Sequence, residues 1–323
     1  MNPHTNQYHI FVFLRLSLLG EYHGFVSNTN PDWHDLQNPD GKNPEKAIAM
    51  LPDYFRAMYT EDAQAKEEVE FLFADGYMRS RGYDLYEYTA DMDLEELIAD
   101  MKAVGYTQTE MTAFATPFVA EMMAHDAVFY SLMPILLLGK HSSGITVDIP
   151  QPPCLETALA AIPQYIQFLT GKYVADYDAE GFINLDETLD ALLREMADAQ
   201  YGEQEQARFA AAWYDAIAAQ NLVTLMQMRV YLTGEFRYAV AGKPITEISL
   251  PDKQDLGKAI ALIPAYIAYV QTYVDPRWDD DVRVSPDRHL TQFLVPAMES
   301  TGYTPVDIQR FCSCWQEELQ RAE

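Results

Sequence analysis

The chain has 323 residues, of which 49% are hydrophobic and 12% aromatic, and its 49 acidic against 22 basic side chains give a formal net charge of -27. This hydrophobic content excludes intrinsic disorder and is sufficient for a sizeable buried core. The charge repels phosphates and anionic lipids, so we expect no direct binding to nucleic acid or to a membrane surface. It either keeps the protein in solution or selects a basic protein or a cation as partner.

The cysteines and the apolar segments indicate where the protein resides. Cys154, Cys312 and Cys314 are an odd number without the spacing of a disulfide framework, which favours a reducing compartment. The apolar segment 9–20 contains Arg15 and has no basic region before it, so a signal peptide is not expected. No run approaches the roughly 20 apolar residues that a membrane span needs. The sequence therefore predicts a cytoplasmic protein.

In chain order, the first predicted element is an apolar run that ends in glycine. It occurs three times, with the glycine at Gly20, Gly139 and Gly234. A glycine here would form the turn or cap that ends a helix. The alternation of Met226, Met228 and later residues also fits a strand, but leucine and methionine favour a helix, which we prefer. After the third glycine, the segment 236–250 could form a short hairpin.

The second predicted element carries a motif of alanine, aliphatic residue, proline and tyrosine. It reads AIAMLPDYF at 47–55, ALAAIPQYI at 158–166 and AIALIPAYI at 259–267. The spacing predicts a helix that the internal proline kinks or splits. The shared positions are Pro52, Tyr54, Pro163, Tyr165, Pro264 and Tyr266. We interpret them as packing positions, and the alternative is that the three tyrosines converge on a central pocket.

Two further amphipathic helices complete each copy. The last one contains a phenylalanine eight residues after a tyrosine and another aromatic residue four residues later, on the same helical face. These residues are Tyr106, Phe114 and Phe118; Tyr201, Phe209 and Trp213; Tyr303, Phe311 and Trp315.

The sequence therefore predicts an all-α fold of three tandem repeats of about 95–120 residues, each with roughly four helices and short irregular or hairpin connectors. The predicted units are 1–124, 125–220 and 221–323, and the first carries an insertion at about 63–92 that is either functional or a cap on the end of the array. The repeats could stack as an open array or close into a pseudo-threefold body.

The segment 176–187, DYDAEGFINLDE, resembles a calcium loop of the EF-hand type. Such a loop supplies oxygen ligands at positions 1, 3, 5, 7, 9 and 12 and has a glycine at position 6. The matching ligand positions are Asp176, Asp178, Glu180, Phe182, Asn184 and Glu187. The glutamate at position 5 is longer than usual, and the other two repeats contain no comparable loop. Calcium is therefore a possible ligand, and no other cofactor is indicated.

The sequence contains no phosphate-binding loop, nucleophile elbow or zinc-ligand spacing. Glu121 and His125 are spaced to share a helical face, but such a pair is usually a surface contact. The first hypothesis is therefore a non-catalytic protein that binds a basic protein partner, as an inhibitor or immunity protein would. The alternatives are a calcium-binding module that uses 176–187 and an enzyme with a pocket at the repeat junctions.

Overall fold

The structure, a computed structural model, describes residues 5–24, 34–59, 90–125, 128–149, 152–174, 184–272 and 285–322. The chain forms two compact units, Met1–Pro153 and Cys154–Glu323. The boundary falls within the predicted second repeat, and the three repeat boundaries stay a prediction. None of the helices in the described ranges is long and apolar enough to cross a membrane.

Within the described residues, the first unit consists of helices and a two-stranded antiparallel hairpin that follows the first of them. Its elements are α1 (Thr5–Leu19), β1 (Glu21–Gly24), β2 (His34–Gln37), α2 (Pro44–Ala49), α3 (Leu51–Met58), α4 (Ala90–Ala103), α5 (Gln108–His125) and α6 (Leu132–Leu138). Helix α1 packs against α2, α3 and α4, and α5 packs against the same three helices. The core between them contains Leu14, Tyr54, Phe55, Leu97 and Phe118, all fully buried.

The second unit has the same kinds of element. They are α7 (Leu155–Val174), α8 (Leu185–Asp198), α9 (Glu203–Ala219), α10 (Leu225–Thr233), β3 (Glu235–Tyr238), β4 (Thr246–Ser249), a 3-10 turn (Pro251–Lys253), α11 (Leu256–Thr272), α12 (Pro286–His289), a π-helical turn (Leu290–Leu294), α13 (Val295–Ser300) and α14 (Pro305–Ala322). Helix α9 packs against α7 and α8, and α11 packs against α10 and α14. Both described tryptophans, Trp213 and Trp315, are fully buried.

Each apolar run that ends in glycine is a helix, as predicted. Gly20, Gly139 and Gly234 have φ angles of 83°, 65° and 67°, in the left-handed region that favours glycine. Antiparallel strands follow the first and third glycines, β1 with β2 and β3 with β4, and an isolated antiparallel bridge joins Lys140 and Thr146 after the second. The hairpin predicted in 236–250 is therefore confirmed.

The proline in the second element affects the three copies differently. The helix is interrupted at Met50, two residues before Pro52, which divides it into α2 and α3. Pro163 and Pro264 lie inside the continuous helices α7 and α11. All three prolines are exposed. The described residues are mostly helical, which confirms the all-α class.

Candidate functional site

A buried polar cluster of the second unit surrounds Asp186, the second residue of α8. Its Oδ1 accepts hydrogen bonds from the Tyr214 hydroxyl at 2.8 Å and from the Thr224 hydroxyl at 2.9 Å. Its Oδ2 accepts the backbone N–H of Met226 at 3.0 Å. Burial raises the pKa of the Asp186 carboxyl, and these hydrogen bonds oppose that shift. Through these hydrogen bonds the carboxylate connects α8 to α9 and to the beginning of α10.

Asp91 occupies the same place in the first unit, as the second residue of α4. Its Oδ2 accepts the backbone N–H of Ser131 at 3.0 Å, immediately before α6. Its Oδ1 lies 2.9 Å from Nε2 of His141, which is 1% exposed. On the other side of the ring, Nδ1 lies 2.9 Å from the Ser143 hydroxyl. Asp91 therefore connects α4 to the beginning of α6 and to the turn after α6 by hydrogen bonds.

Ser143, His141 and Asp91 follow the order hydroxyl, imidazole, carboxylate that nucleophilic catalysis uses. However, Nδ1 of His141 also accepts the backbone N–H of Ser143, at 3.2 Å, so the ring closes a local turn. Asp186 makes a similar contact to the beginning of α10, and no histidine takes part in the hydrogen bonds of its carboxylate described above. What the two clusters share is the attachment of one helix to the next, and we assign them that positioning role.

This assignment predicts that His141→Leu destabilises the first unit by about 2–3 kcal/mol, because the buried Asp91 carboxylate loses its imidazole donor. Urea denaturation followed by circular dichroism measures the loss. His23→Leu is the matched control, since the His23 side chain is 49% exposed where it contacts Asp35. An equal loss in both variants would show that the Asp91–His141 contact does not stabilise the unit.

A third cluster surrounds Asp93, two residues after Asp91. Its carboxylate accepts hydrogen bonds from the Arg15 guanidinium and from the Tyr54 hydroxyl, and all three residues are buried. Nη2 of Arg15 also lies 3.8 Å from Oε2 of Glu96. Burial, and next the neighbouring Asp93 charge, raise the pKa of Tyr54 well above its usual value. The Arg15–Asp93 ion pair joins α1 to α4, and the Tyr54 hydrogen bond joins α3 to the same carboxylate.

No protein-family model, curated protein or solved structure matches the chain.

The three repeated tyrosines are all buried, at 0% exposure for Tyr54, 2% for Tyr165 and 0% for Tyr266. Their ring centroids lie 5.6–6.1 Å from an aromatic residue of the last helix of the same predicted repeat, Phe118, Trp213 and Trp315 respectively. Tyr266 also donates to the Leu225 carbonyl at 3.1 Å and lies 3.2 Å from Nδ1 of His289. The packing interpretation stays a prediction, and these contacts favour it.

The predicted calcium ligands are only partly within the described residues. Asp176, Asp178, Glu180 and Phe182 lie outside them. Asn184 caps α8, since its Oδ1 accepts the backbone N–H groups of Asp186 at 3.0 Å and Glu187 at 3.2 Å. Glu187 is exposed. In the part of the chain that is described, no three His, Cys, Asp or Glu residues group so as to hold a metal ion. Calcium binding stays a prediction.

Proposed function

We propose that this protein is a non-catalytic binding protein whose acidic helix pairs, α4–α5 and α8–α9, bind a basic protein partner. The observation that carries the proposal is the distribution of charge along the chain. Helices α4 and α5 contain seven acidic side chains and one lysine, and α8 and α9 contain eight acidic side chains and two arginines. The stretch 225–272 contains four acidic and five basic side chains. The two helix pairs thus carry a net charge of -6 each, -12 of the -27 of the whole chain, whereas 225–272 carries +1.

The buried acidic side chains of these helices make hydrogen bonds or ion pairs inside the protein. The exposed acidic side chains supply the binding surface. Asp91, Asp93 and Asp186 accept the hydrogen bonds described above, and Asp190 pairs with Arg194 at 2.8 Å. Glu187, Glu195, Asp198 and Glu203 are exposed on α8 and α9. A surface with this charge accelerates the approach of a basic protein and attracts it most strongly at low salt. Inhibitor or immunity proteins that neutralise a basic toxin or nuclease have this chemistry.

The three-repeat organisation belongs to the same proposal, and three sets of positions support it. The glycines at 20, 139 and 234 all end a helix with positive φ. Five positions of the proline–tyrosine motif have the same pattern of burial in each copy, at 51–55, 162–166 and 263–267. In each copy the proline is exposed and the tyrosine is buried. Asp91 and Asp186 both lie 15 residues before the tyrosine of the fourth element, Tyr106 or Tyr201.

A cytoplasmic location completes the proposal. All three cysteines are free, with Cys154 exposed and Cys312 and Cys314 half-buried. Free thiols at these positions fit a reducing compartment.

Affinity capture with two variants of equal net charge tests the partner. The first neutralises four exposed acids of α8 and α9, as Glu187→Gln, Glu195→Gln, Asp198→Asn and Glu203→Gln. The control neutralises four exposed acids outside both helix pairs, as Asp40→Asn, Glu45→Gln, Glu247→Gln and Asp252→Asn. Wild type and control are expected to capture the same basic protein from a native lysate at about 50 mM NaCl and to release it at about 500 mM, because salt screens exposed charges.

The first variant is expected to lose most of that captured protein. Capture that is equal in both variants would contradict the assignment to α8–α9. If wild type retains no partner at either salt concentration, the proposed function is wrong.

A further inference from the structure

The turn between the third and the fourth helical element is built in the same way in all three predicted repeats. Its tyrosine donates the backbone N–H to the carbonyl of a methionine five residues earlier, and the residue before the tyrosine donates its own N–H to a carbonyl three residues earlier. The first of these bonds measures 3.0 Å from Tyr106 to Met101, 2.9 Å from Tyr201 to Met196 and 3.1 Å from Tyr303 to Met298. The two bonds define a Schellman motif, in which the residue before the tyrosine has a left-handed conformation.

Glycine occupies this left-handed position in the first and third predicted repeats, and glutamine occupies it in the second. The φ angles are 89° at Gly105, 69° at Gln200 and 84° at Gly302. Glycine adopts such an angle without steric cost, whereas the Cβ atom of any other residue crowds the following carbonyl oxygen. A Cβ atom placed on Gly105 or Gly302 meets no described atom within 4 Å. The backbone conformation, and not a lack of space, therefore disfavours a side chain in this turn.

Within the described residues, the Gln200 side chain makes no hydrogen bond that would offset this strain, and it is exposed. Its neighbours do stabilise the turn. Oε2 of Glu205 accepts the backbone N–H of Gly202 at 2.8 Å, and Nε2 of Gln206 donates to the Tyr201 carbonyl at 2.9 Å. A strained residue that its own fold does not require is typical of a functional position.

Gln200 lies within the acidic surface of α8 and α9. Asp198 precedes it by two residues and Glu203 follows it by three, and both are exposed. Carboxylates only accept hydrogen bonds, and exposed ones act mainly on the approach of a basic protein. A carboxamide both donates and accepts, so it can pair with a backbone peptide group through two hydrogen bonds. Gln200 thus adds a neutral and directional group to a surface that otherwise attracts by charge.

We propose that Gln200 is a specificity-determining residue of the α8–α9 surface, whose carboxamide makes direct hydrogen bonds to a backbone peptide group of the basic partner. This assignment rests on the function proposed above and deepens it, because it places a direct contact on the turn between α8 and α9. The turn between α4 and α5 has Gly105 at the equivalent position, so the α4–α5 pair contributes attraction by charge without this contact. The partner presents an unpaired peptide group beside its basic side chains, as a loop or an edge strand does.

The strain at Gln200 can be measured on the full chain without any partner. Gln200→Gly is expected to raise the folding equilibrium constant of the second unit about two- to fivefold, because the relief of the left-handed strain exceeds the entropy that glycine adds to the unfolded chain. Gly302→Gln is the matched control, since it places the same side chain in the equivalent turn of the same unit. It should lower that constant by a similar factor. Urea denaturation followed by tryptophan fluorescence measures both changes.

The contact of Gln200 with the partner is measured by surface plasmon resonance. The probe is the basic protein that wild type releases at about 500 mM NaCl in the capture experiment, purified and immobilised. Gln200→Gly is expected to raise its dissociation rate at least about fivefold through the lost hydrogen bonds. The association rate should stay within about twofold, because the net charge does not change. Gly302→Gln lies outside both helix pairs and should leave both rates unchanged.

Salt distinguishes this hydrogen-bonded contact from attraction by charge. The effect of Gln200→Gly should be the same at about 50 and about 150 mM NaCl, because the carboxamide is neutral. The variant that neutralises four acids of α8 and α9 should instead lower mainly the association rate, and by less as salt rises.

Two outcomes would overturn the assignment of Gln200 and leave the proposed function intact. In one, Gln200→Gly dissociates from the purified basic protein at the rate of wild type. In the other, Gln200→Gly is no more stable than wild type, so that residue 200 is not strained. If wild type retains no basic protein at either salt concentration, the proposed function is wrong, and the contact of Gln200 is wrong with it.

Discussion

Replacing Asp186 with alanine is expected to lower the free energy of unfolding of the second unit by about 2–4 kcal/mol. The carboxylate accepts three hydrogen bonds, from the Tyr214 and Thr224 hydroxyls and from the Met226 backbone. Alanine leaves these donors without their acceptor in a site where Tyr214 and Thr224 are buried. The loss exceeds the gain from removing a buried carboxyl, because unsatisfied buried donors are costly. Urea denaturation followed by tryptophan fluorescence measures it, since Trp213 is buried beside Tyr214.

Glu187→Ala is the matched control for this prediction. Glu187 is the next residue of the same helical turn and is exposed, so its replacement should cost no more than about 0.5 kcal/mol. A similar loss in both variants would mean that the cost comes from the helix terminus and not from the three hydrogen bonds.

The pH dependence provides a second readout of Asp186. Burial raises its pKa in the folded state above the usual value of 3.8, so the folded protein holds this proton at a pH where the unfolded chain has released it. Protonation of Asp186 therefore contributes to the free energy of unfolding. This contribution is fully present at a pH below the pKa of Asp186 in the unfolded chain, and it is lost as the pH rises through the pKa of Asp186 in the folded protein. Asp186→Asn has no such proton, so the stability difference between wild type and this variant should fall as pH rises through that window. A difference that is constant with pH would contradict the raised pKa.

The helices could be predicted from the sequence because their signals are local. Apolar spacing and the terminal glycines predicted that the three apolar runs ending at Gly20, Gly139 and Gly234 are helices. The pattern of the segment 236–250 predicted the hairpin. The effect of proline was less predictable. The same motif occurs with a helix interrupted at Met50, before Pro52, and with continuous helices at Pro163 and Pro264, so the motif alone does not determine whether the helix breaks.

The buried clusters could not be predicted, because their partners are far apart in the chain. Asp91 and His141 are 50 residues apart, and no local pattern connects them. Asp186 lies inside the segment 176–187 that resembles a calcium loop, but at position 11, which supplies no ligand in that pattern. The calcium-loop pattern therefore selects Glu187, which is exposed, and passes over the neighbouring Asp186 carboxylate, which connects α8 to α9 and α10. The sequence did contain one usable signal, since Asp91 lies 15 residues before Tyr106 and Asp186 lies 15 residues before Tyr201.

The partner of Arg15 could not be predicted either, because it too is distant in the chain. In the sequence it is a charge inside an apolar segment, which argues against a signal peptide. In the structure it is 5% exposed, and its guanidinium pairs with Asp93, which is fully buried. The segment is therefore a helix that has a charged residue on its buried side, held by an acid 78 residues away.

Asp93→Ala is expected to destabilise the first unit by about 3–5 kcal/mol, because it removes from the buried Arg15 guanidinium the fully buried carboxylate with which it pairs. The Tyr54 hydroxyl loses its acceptor in the same change. Tyr54→Phe removes only that hydrogen bond and should cost about 1–2 kcal/mol. Urea denaturation followed by circular dichroism measures both losses. Asp53→Ala breaks the exposed pair with Arg56 and should cost less than about 1 kcal/mol.

The double variant Arg15→Met, Asp93→Leu distinguishes the cost of an unpaired charge from the cost of lost packing. Apolar side chains of similar size can replace a buried ion pair with little loss of stability, because the desolvation penalty of both charges disappears with them. We therefore expect the double variant to be more stable than Asp93→Leu alone, and the cycle completed by Arg15→Met to give a coupling energy of at least about 2 kcal/mol. If instead the two changes add, the guanidinium and the carboxylate stabilise the unit independently. The joining of α1 to α4 would then depend on the surrounding core residues and not on this ion pair.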